Sequence, residues 1–266
     1  MHITDFAIWQ LIVVFFSIFL AGVIDSIAGG GGIISIPAYL FLGLSGHVVL
    51  GTNKFSSTIG TFFATIRFAS HSKINWRIGV VSVIFALVGS SIGSRLVLLI
   101  PVDFIRILLI ILIPIIAVFT LLQKNENDNV EKNVNDSLTY FHGIKPYLIS
   151  AAASLIIGMY DGFFGPGTGT FFILVYTTLL HFDMTTASGN AKVVNLSSNI
   201  AALATFLTHK SVFIELGVLC AICSVVGNWV GSGLAVKKGS KIIKPVFIIA
   251  LLLLLSKVTY DLFLNK

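Results

Sequence analysis

Two apolar stretches of the chain are each interrupted by a cluster of glycines, one in each half of the sequence. The first reads GVIDSIAGGGGIISIPAYL from Gly22 to Leu40, and the second reads GMYDGFFGPGTGTFF from Gly158 to Phe172. Glycine and proline hold a helix poorly, and backbone without helical hydrogen bonds cannot face lipid. Both interruptions are therefore expected inside the protein, buried or lining a watery cavity.

The composition indicates why lipid matters here. Of the 266 residues, 56% are hydrophobic and 11% are charged, and the mean hydropathy is +0.99. A soluble domain carries about 25% charged residues. The prediction is an all-α polytopic protein in the lipid bilayer, multi-pass in the cell (cytoplasmic) membrane. The net charge of +6 lies in short loops rather than on one face, so nucleic acid is not an expected partner.

An internal repeat relates the two halves at an offset of about 136 to 138 residues. Asp25 aligns with Asp161, and Lys54 in GTNK aligns with Lys192 in GNAK. The order and spacing of such matches hold over most of each half. The chain therefore divides into a first membrane repeat, 1–123, a polar Asn-rich linker, 124–143, and a second membrane repeat, 144–266.

Each repeat is predicted to hold about five helical segments, four long and one short. The predicted segments are 7–28, 33–43, 48–70, 77–98 and 102–123, then 146–164, 170–180, 185–207, 214–236 and 242–264. The short segments, which follow the glycines, extend only about 16 Å and cannot alone cross a core of about 30 Å. The sequence leaves open whether they complete a crossing or re-enter.

The distribution of Lys and Arg favours inverted repeats. If the short segments complete a crossing, the loops around 67–77, 124–145 and 237–244 share a side and hold 10 Lys and Arg against 5 opposite. If they re-enter, the repeats are parallel and the split is 9 to 6. Cytoplasmic loops carry the excess of positive charge, which places both termini outside.

Polar residues mark one face of two predicted membrane helices, and each stripe begins at a lysine. Lys54 is followed by Ser57, and Lys192 by Asn195, at helical spacing. A buried lysine costs about 2.5–3.5 kcal/mol, with snorkelling to the interface as the alternative. The candidate substrate-binding residues are Lys54, Lys192, Asn53, Asn190, Thr52, Ser57, Asn195, Gly30, Gly31, Gly167 and Thr168.

The residues just before the two lysines, Gly-Thr-Asn and Ser-Gly-Asn, resemble helix N-caps, and a helix that restarts there would begin at the lysine. Free backbone N–H groups and the positive end of the helix dipole would then join each lysine. Asp25 and Asp161 carry the opposite charge. They are expected to cap unwound backbone, to pair with a lysine, or to take up a coupling proton.

The motifs AGVIDSIAGGGGIISIPAYLFLGLSGHVVLGTNK and INWRIGVVSVIFALVGSSIGSRL resemble the TauE/SafE family, the sulfite exporter or TSUP permeases. The resemblance covers nearly the whole chain, and the first glycine cluster is its most specific part. It implies a secondary carrier of sulfite, sulfonates or related anions. Pro166 and Thr168 stand at glycine-like places in the second half, which predicts two unequal half-sites.

The predicted function is an alternating-access carrier, an exporter of small sulfur-containing or other anions, with one central site at the repeat interface. No cofactor or metal is expected. A passive anion channel is the main alternative, because it would use the same basic, glycine-lined cavity. An intramembrane aspartyl protease is disfavoured, since its Gly-x-Gly-Asp motif does not occur. Substrate, coupling ion and oligomeric state stay open.

Two further motifs have plain structural interpretations. Gly89-x-x-x-Gly93 and Gly227-x-x-x-Gly231 are typical of close helix packing in membranes. Cys220-x-x-Cys223 lies in an apolar helix without a flanking base and is interpreted as two small core residues.

Overall fold

A computed structural model describes residues 2–101, 143–239 and 242, and its regular elements are all helical. A single 3-10 turn, Ile3–Asp5, comes first. The α-helices of the first half are α1 (Ile8–Ala28), α2 (Gly32–Phe41), α3 (Gly46–Ser70) and α4 (Trp76–Leu98). Those of the second half are α5 (Lys145–Phe163), α6 (Thr168–Thr178), α7 (Met184–Thr208) and α8 (Ile214–Lys238).

The predicted helical segments are confirmed where the structure describes them, with each end within two residues of its predicted place. The segments predicted at 102–123 and 242–264 and the linker at 124–143 lie outside the described residues, apart from their end residues 242 and 143. An all-α polytopic membrane fold is therefore confirmed, whereas the duplication, its inversion and the domain boundaries stay predictions.

The helices differ in how they meet the bilayer. α1, α4 and α8 are long and apolar enough to span a membrane, and α2 and α6 are shorter apolar helices. Large apolar side chains stay exposed along the three spans, as expected for a surface in lipid: Ile12, Phe16, Ile84, Val88, Ile222 and Val226. α3 and α7, with 25 residues each, carry the two lysines, and more than half of the residues of each are buried.

Among the described helices, the two pairs with the most extensive contact join the two halves: α1 packs along α8, and α4 packs along α5. Glycines make both approaches possible. A Cβ atom on Gly93 would overlap the backbone of Met159, and one on Gly231 would overlap the backbone of Val23. The predicted packing role of the two Gly-x-x-x-Gly motifs is confirmed.

We expect Gly93→Ala to lower stability by about 1–3 kcal/mol, because its methyl group meets the Met159 carbonyl and overpacks the helix crossing. Gly79→Ala is the matched control on the same helix, since its nearest neighbour would be 3.5 Å away. That change should raise stability by about 1 kcal/mol through helix propensity. Thermal unfolding of the two variants in detergent measures the difference, and equal shifts would contradict close packing at Gly93.

The predicted helix restarts before the lysines are wrong. Thr52 and Asn53 lie inside α3, which begins at Gly46, and Asn190 lies inside α7. The start of α7 is capped by Asp183, whose carboxylate accepts from the backbone N–H groups of the next turn. These three polar residues are tolerated inside the helices because each side chain makes a hydrogen bond, to a neighbouring element or to the preceding turn.

Candidate functional site

The two membrane lysines are buried and form crossed ion pairs. Lys54 Nζ lies 2.7 Å from Asp161 Oδ2, and Lys192 Nζ lies 2.6 Å from Asp25 Oδ2. The lysine side chains are 3% and 1% exposed, so they do not snorkel to the interface. Each pair joins one half of the chain to the other, and pairing with a lysine is one of the roles expected for the aspartates.

The two ion pairs are not equally supported. Asp161 Oδ2 also accepts from Ser198 Oγ at 2.5 Å, and Lys54 Nζ also donates to Asn199 Oδ1 at 2.8 Å. In the described part of the chain, the Asp25 pair has no further hydrogen bond to either charged group. The Asp25 side chain is 16% exposed, against 2% for Asp161. The Lys54–Asp161 pair is therefore supported by two further hydrogen bonds, whereas the Lys192–Asp25 pair is not.

The two glycine interruptions predicted from the sequence meet each other. Gly29, with a left-handed φ of 78°, ends α1 and lies so close to Gly169 that a Cβ atom there would overlap it. Thr170 Oγ1 donates to the Ala28 carbonyl at 2.8 Å. Gly167, with φ 79°, precedes α6. The ends of α1 and the starts of α2 and α6 therefore converge.

A central cavity lies where the interruptions and the ion pairs come together. It is about 20 Å³ in volume, which is room for about one water molecule. Its lining residues are Asp25, Gly29, Gly32, Asn53, Lys54, Ser57, Asp161, Gly165, Thr168, Gly169, Asn195 and Asn199. The starts of α2 and α6 contribute Gly32 and Thr168, so the N-termini of two helices, with the positive ends of their dipoles, border the cavity.

The structure brings most of the candidate residues to this cavity. Those that line it are Lys54, Asn53, Ser57, Asn195 and Thr168, together with Asp25 and Asp161. Lys192 does not line the cavity itself but pairs with Asp25, which does. Gly31 lies against the Asp25 side chain and lines a second, neighbouring cavity. Gly30 and Gly167 belong to the interruptions without lining the cavity.

Two candidates have partners elsewhere. Thr52 Oγ1 accepts from the backbone N–H of Phe213 at 3.0 Å, which fixes the start of α8. Asn190 Nδ2 donates to the Thr186 carbonyl at 2.9 Å, within its own helix. Neither residue lines the cavity, and both have structural contacts.

Sequence reasoning missed several residues of the site. Asn199 lies one helical turn beyond Asn195 on the same polar stripe, which periodicity identifies, but it was not among the candidate binding residues. Ser198 donates a hydrogen bond to Asp161, but it does not belong to the polar stripe of α7. Gly29, Gly32, Gly165 and Gly169 were within the recognised interruptions, but nothing in the sequence distinguishes them from their neighbours.

Comparison with known proteins gives the family. The family model described as Sulfite exporter TauE/SafE matches residues 14–258. The chain is 35% identical over 257 residues to "Probable membrane transporter protein ORF9" of Sinorhizobium sp., covering 97% of this chain and 95% of that protein. No solved structure matches this chain significantly.

Two further relatives cover as much of the chain. "Probable membrane transporter protein YfcA" of Escherichia coli K12 is 34% identical over 249 residues, which is 94% of this chain and 89% of the relative. A "Probable membrane transporter protein" of Haemophilus influenzae is 34% identical over 257 residues, 97% of each. These names indicate membrane transporters rather than enzymes. In the structure, each of the two membrane aspartates pairs with a lysine, and the two aspartates do not pair with each other. By both comparisons, the chain belongs to the sulfite exporter TauE/SafE family.

Proposed function

We propose that this membrane transporter is an alternating-access carrier that exports small sulfur-containing anions, such as sulfite or sulfonates, across the cytoplasmic membrane. The observation that carries the proposal is the central cavity, bordered by both crossed ion pairs and by two helix starts. The charges of two lysines and two aspartates cancel. The two helix N-termini add about +0.5 each, so the cavity favours an anion.

The donors around the cavity suit an oxyanion. A sulfonate presents three acceptor oxygens, and the wall offers the Lys54 ammonium, the amides of Asn53, Asn195 and Asn199, and the hydroxyl of Ser57. Charge-assisted hydrogen bonds from such groups are the stronger class. Sulfur-containing substrates are proposed because the matching family model carries the name sulfite exporter.

The size of the cavity supports a carrier over a channel. A space for about one water molecule does not admit a sulfonate, so the helices around it must separate before the anion can bind. A permanently open pore would need a wider path. The contact of Gly29 with Gly169 is where we expect the two halves to part.

The test is binding and flux of ethanesulfonate, a sulfonate fully ionised across the working pH range, with ethylammonium as a cation of similar size. We expect the anion alone to raise the unfolding temperature, since a ligand at about 100 times its Kd stabilises the native state by about 2.7 kcal/mol. In proteoliposomes, trapped ethanesulfonate should drive counterflow of labelled sulfonate. Absence of binding and flux with every sulfur oxyanion would contradict the proposal, and flux without counterflow would favour the channel.

A further inference from the structure

We infer that Asp25 is the proton-coupling residue of this carrier, and that Asp161 is not. The anion takes the place of the Asp25 carboxylate on Lys192, and Asp25 leaves the ion pair carrying a proton. This inference rests on the proposed function, because it concerns how the same site binds its anion. It assigns different roles to two aspartates that the repeat makes equivalent.

The first argument is the difference in hydrogen bonding. Removing Asp161 from Lys54 breaks the ion pair and also the hydrogen bond from Ser198, and it strands a carboxylate that is 2% exposed. Removing Asp25 from Lys192 also breaks an ion pair, of 2.6 Å, but no further hydrogen bond within the described residues, and the Asp25 side chain is already 16% exposed. The Asp25 pair is therefore the one that can open at lower cost.

The second argument is access for water. A second cavity, also of about 20 Å³, lies between α1, α2, α3 and α8. Asp25 lines both this cavity and the central one, whereas Asp161 lines only the central one. Hydroxyl and amide groups border the second cavity, among them Ser56, Ser224 and Asn228. Each cavity has room for about one water molecule, so the carboxylate of Asp25 has polar space on two sides through which a proton can arrive.

The third argument is charge balance around Asp25. The charged groups near it are Lys192 on α7, Lys54 on α3 and Asp161 on α5, while the residues of α2, α6 and α8 that line the two cavities are neutral. Protonation of Asp25 alone leaves Lys192 buried without a counter-charge, which costs several kcal/mol. Binding of the anion without a proton gives Asp25, Lys192 and the anion a net charge of −1 together.

Both events together restore the balance. A proton from water forms an O–H bond on the Asp25 carboxylate, and the Lys192 ammonium exchanges the carboxylate for the anion as its acceptor. The sum of the charges on Asp25, Lys192 and a monoanion is then zero, as it was for the ion pair. Anion binding and proton binding are thus linked, and each raises the affinity for the other by the same factor.

Calorimetry of ethanesulfonate binding to the full protein in detergent tests this, with buffers of different ionisation enthalpy to count protons. We expect the wild type to take up about one proton for each anion, so that its affinity for the anion falls by about tenfold for each unit of rising pH where this uptake is complete. Asp25→Asn should bind the anion without proton uptake and without this pH dependence.

Two variants localise the effect. Asp183→Asn removes a carboxylate from the α7 cap, where asparagine is equally suitable, and it should keep the wild-type proton uptake and transport. Asp161→Asn should unfold at lower temperature, because Lys54 loses its counter-charge, yet it should still take up about one proton for each anion that it binds. Loss of proton uptake in Asp161→Asn and its retention in Asp25→Asn would overturn the inference.

A folding defect of Asp25→Asn does not remove the test. The double variant Asp25→Asn/Lys192→Met has no unpaired charge at this position and should fold, bind the anion weakly and take up no proton. Proton uptake in the double variant would overturn the inference. Anion binding by the wild type without protons would refute Asp25 as the coupling residue and leave the carrier proposal standing, whereas no anion binding at all would refute the carrier.

Discussion

Lys54→Met should abolish anion transport and lower the stability of the protein by about 3–5 kcal/mol, because it leaves Asp161 buried without its counter-charge. Methionine is unbranched like lysine and keeps most of the length of the side chain, while it removes the charge and the hydrogen-bond donor. Thermal unfolding in detergent measures the first effect, and ethanesulfonate flux in proteoliposomes measures the second.

Adding Asp161→Asn to this variant separates structure from transport. The neutral pair no longer strands a charge, so most of the lost stability should return, while transport should stay absent because the positive charge at the cavity is gone. Lys237→Met, at an exposed position near the end of α8, is the control and should change stability by less than about 0.5 kcal/mol. Normal flux through Lys54→Met or through the double variant would contradict the role of Lys54 in binding.

Gly29→Ala is the second change with a large expected effect. The residue has a left-handed φ of 78°, and an added Cβ would collide with the backbone of Gly169 and Thr170. We expect a loss of about 2–5 kcal/mol, the sum of the conformational cost and the overpacking, together with strongly reduced transport. The collision pushes apart the two interruptions that form the site.

Gly43→Ala isolates the conformational part of that loss. Gly43 has nearly the same φ, 75°, but nothing lies within 4 Å of the position that its Cβ would take. Its substitution should cost about 1–2 kcal/mol and leave transport unchanged. Thermal unfolding and sulfonate flux of both variants give the comparison, and equal losses would mean that the contact with Gly169 contributes nothing.

Local patterns were sufficient to predict the helices and much of the site. The glycine clusters ended α1 and began α2 and α6 as expected, since few side chains tolerate the backbone that they adopt. The stripe from Lys54 to Ser57 faces the cavity because residues at helical spacing share one face. Helix ends and shared helix faces depend on residues close together in the chain, so they can be predicted from the sequence.

The contacts between the halves were beyond such reasoning. The repeat made Lys54 equivalent to Lys192 but did not tell which aspartate each lysine binds, and the structure shows the crossed arrangement. Thr52 resembled part of an N-cap, yet α3 continues through it because its hydroxyl accepts from Phe213, far along the chain. Such partners are set by packing between distant segments.

The difference between the two ion pairs also follows from distant contacts. Ser198 and Asn199 on α7 support the Lys54–Asp161 pair. The sequence predicted unequal half-sites from Pro166 and Thr168. The inequality at the charged groups comes instead from Ser198, which no sequence pattern indicates, and from Asn199, which the polar stripe includes without showing its partner. The difference in hydrogen bonding between the two aspartates is therefore a property of the folded protein.

The packing of α1 against α8 has a consequence for biosynthesis. Ser26 donates to Asn228, and Gly22 lies against Ser224, about two hundred residues later in the chain. While the ribosome makes the protein, the small polar face of α1 must wait in the translocon or in lipid without its partner. Insertion can start early, but assembly ends only when α8 has been synthesised, so neither half expressed by itself should form a stable product.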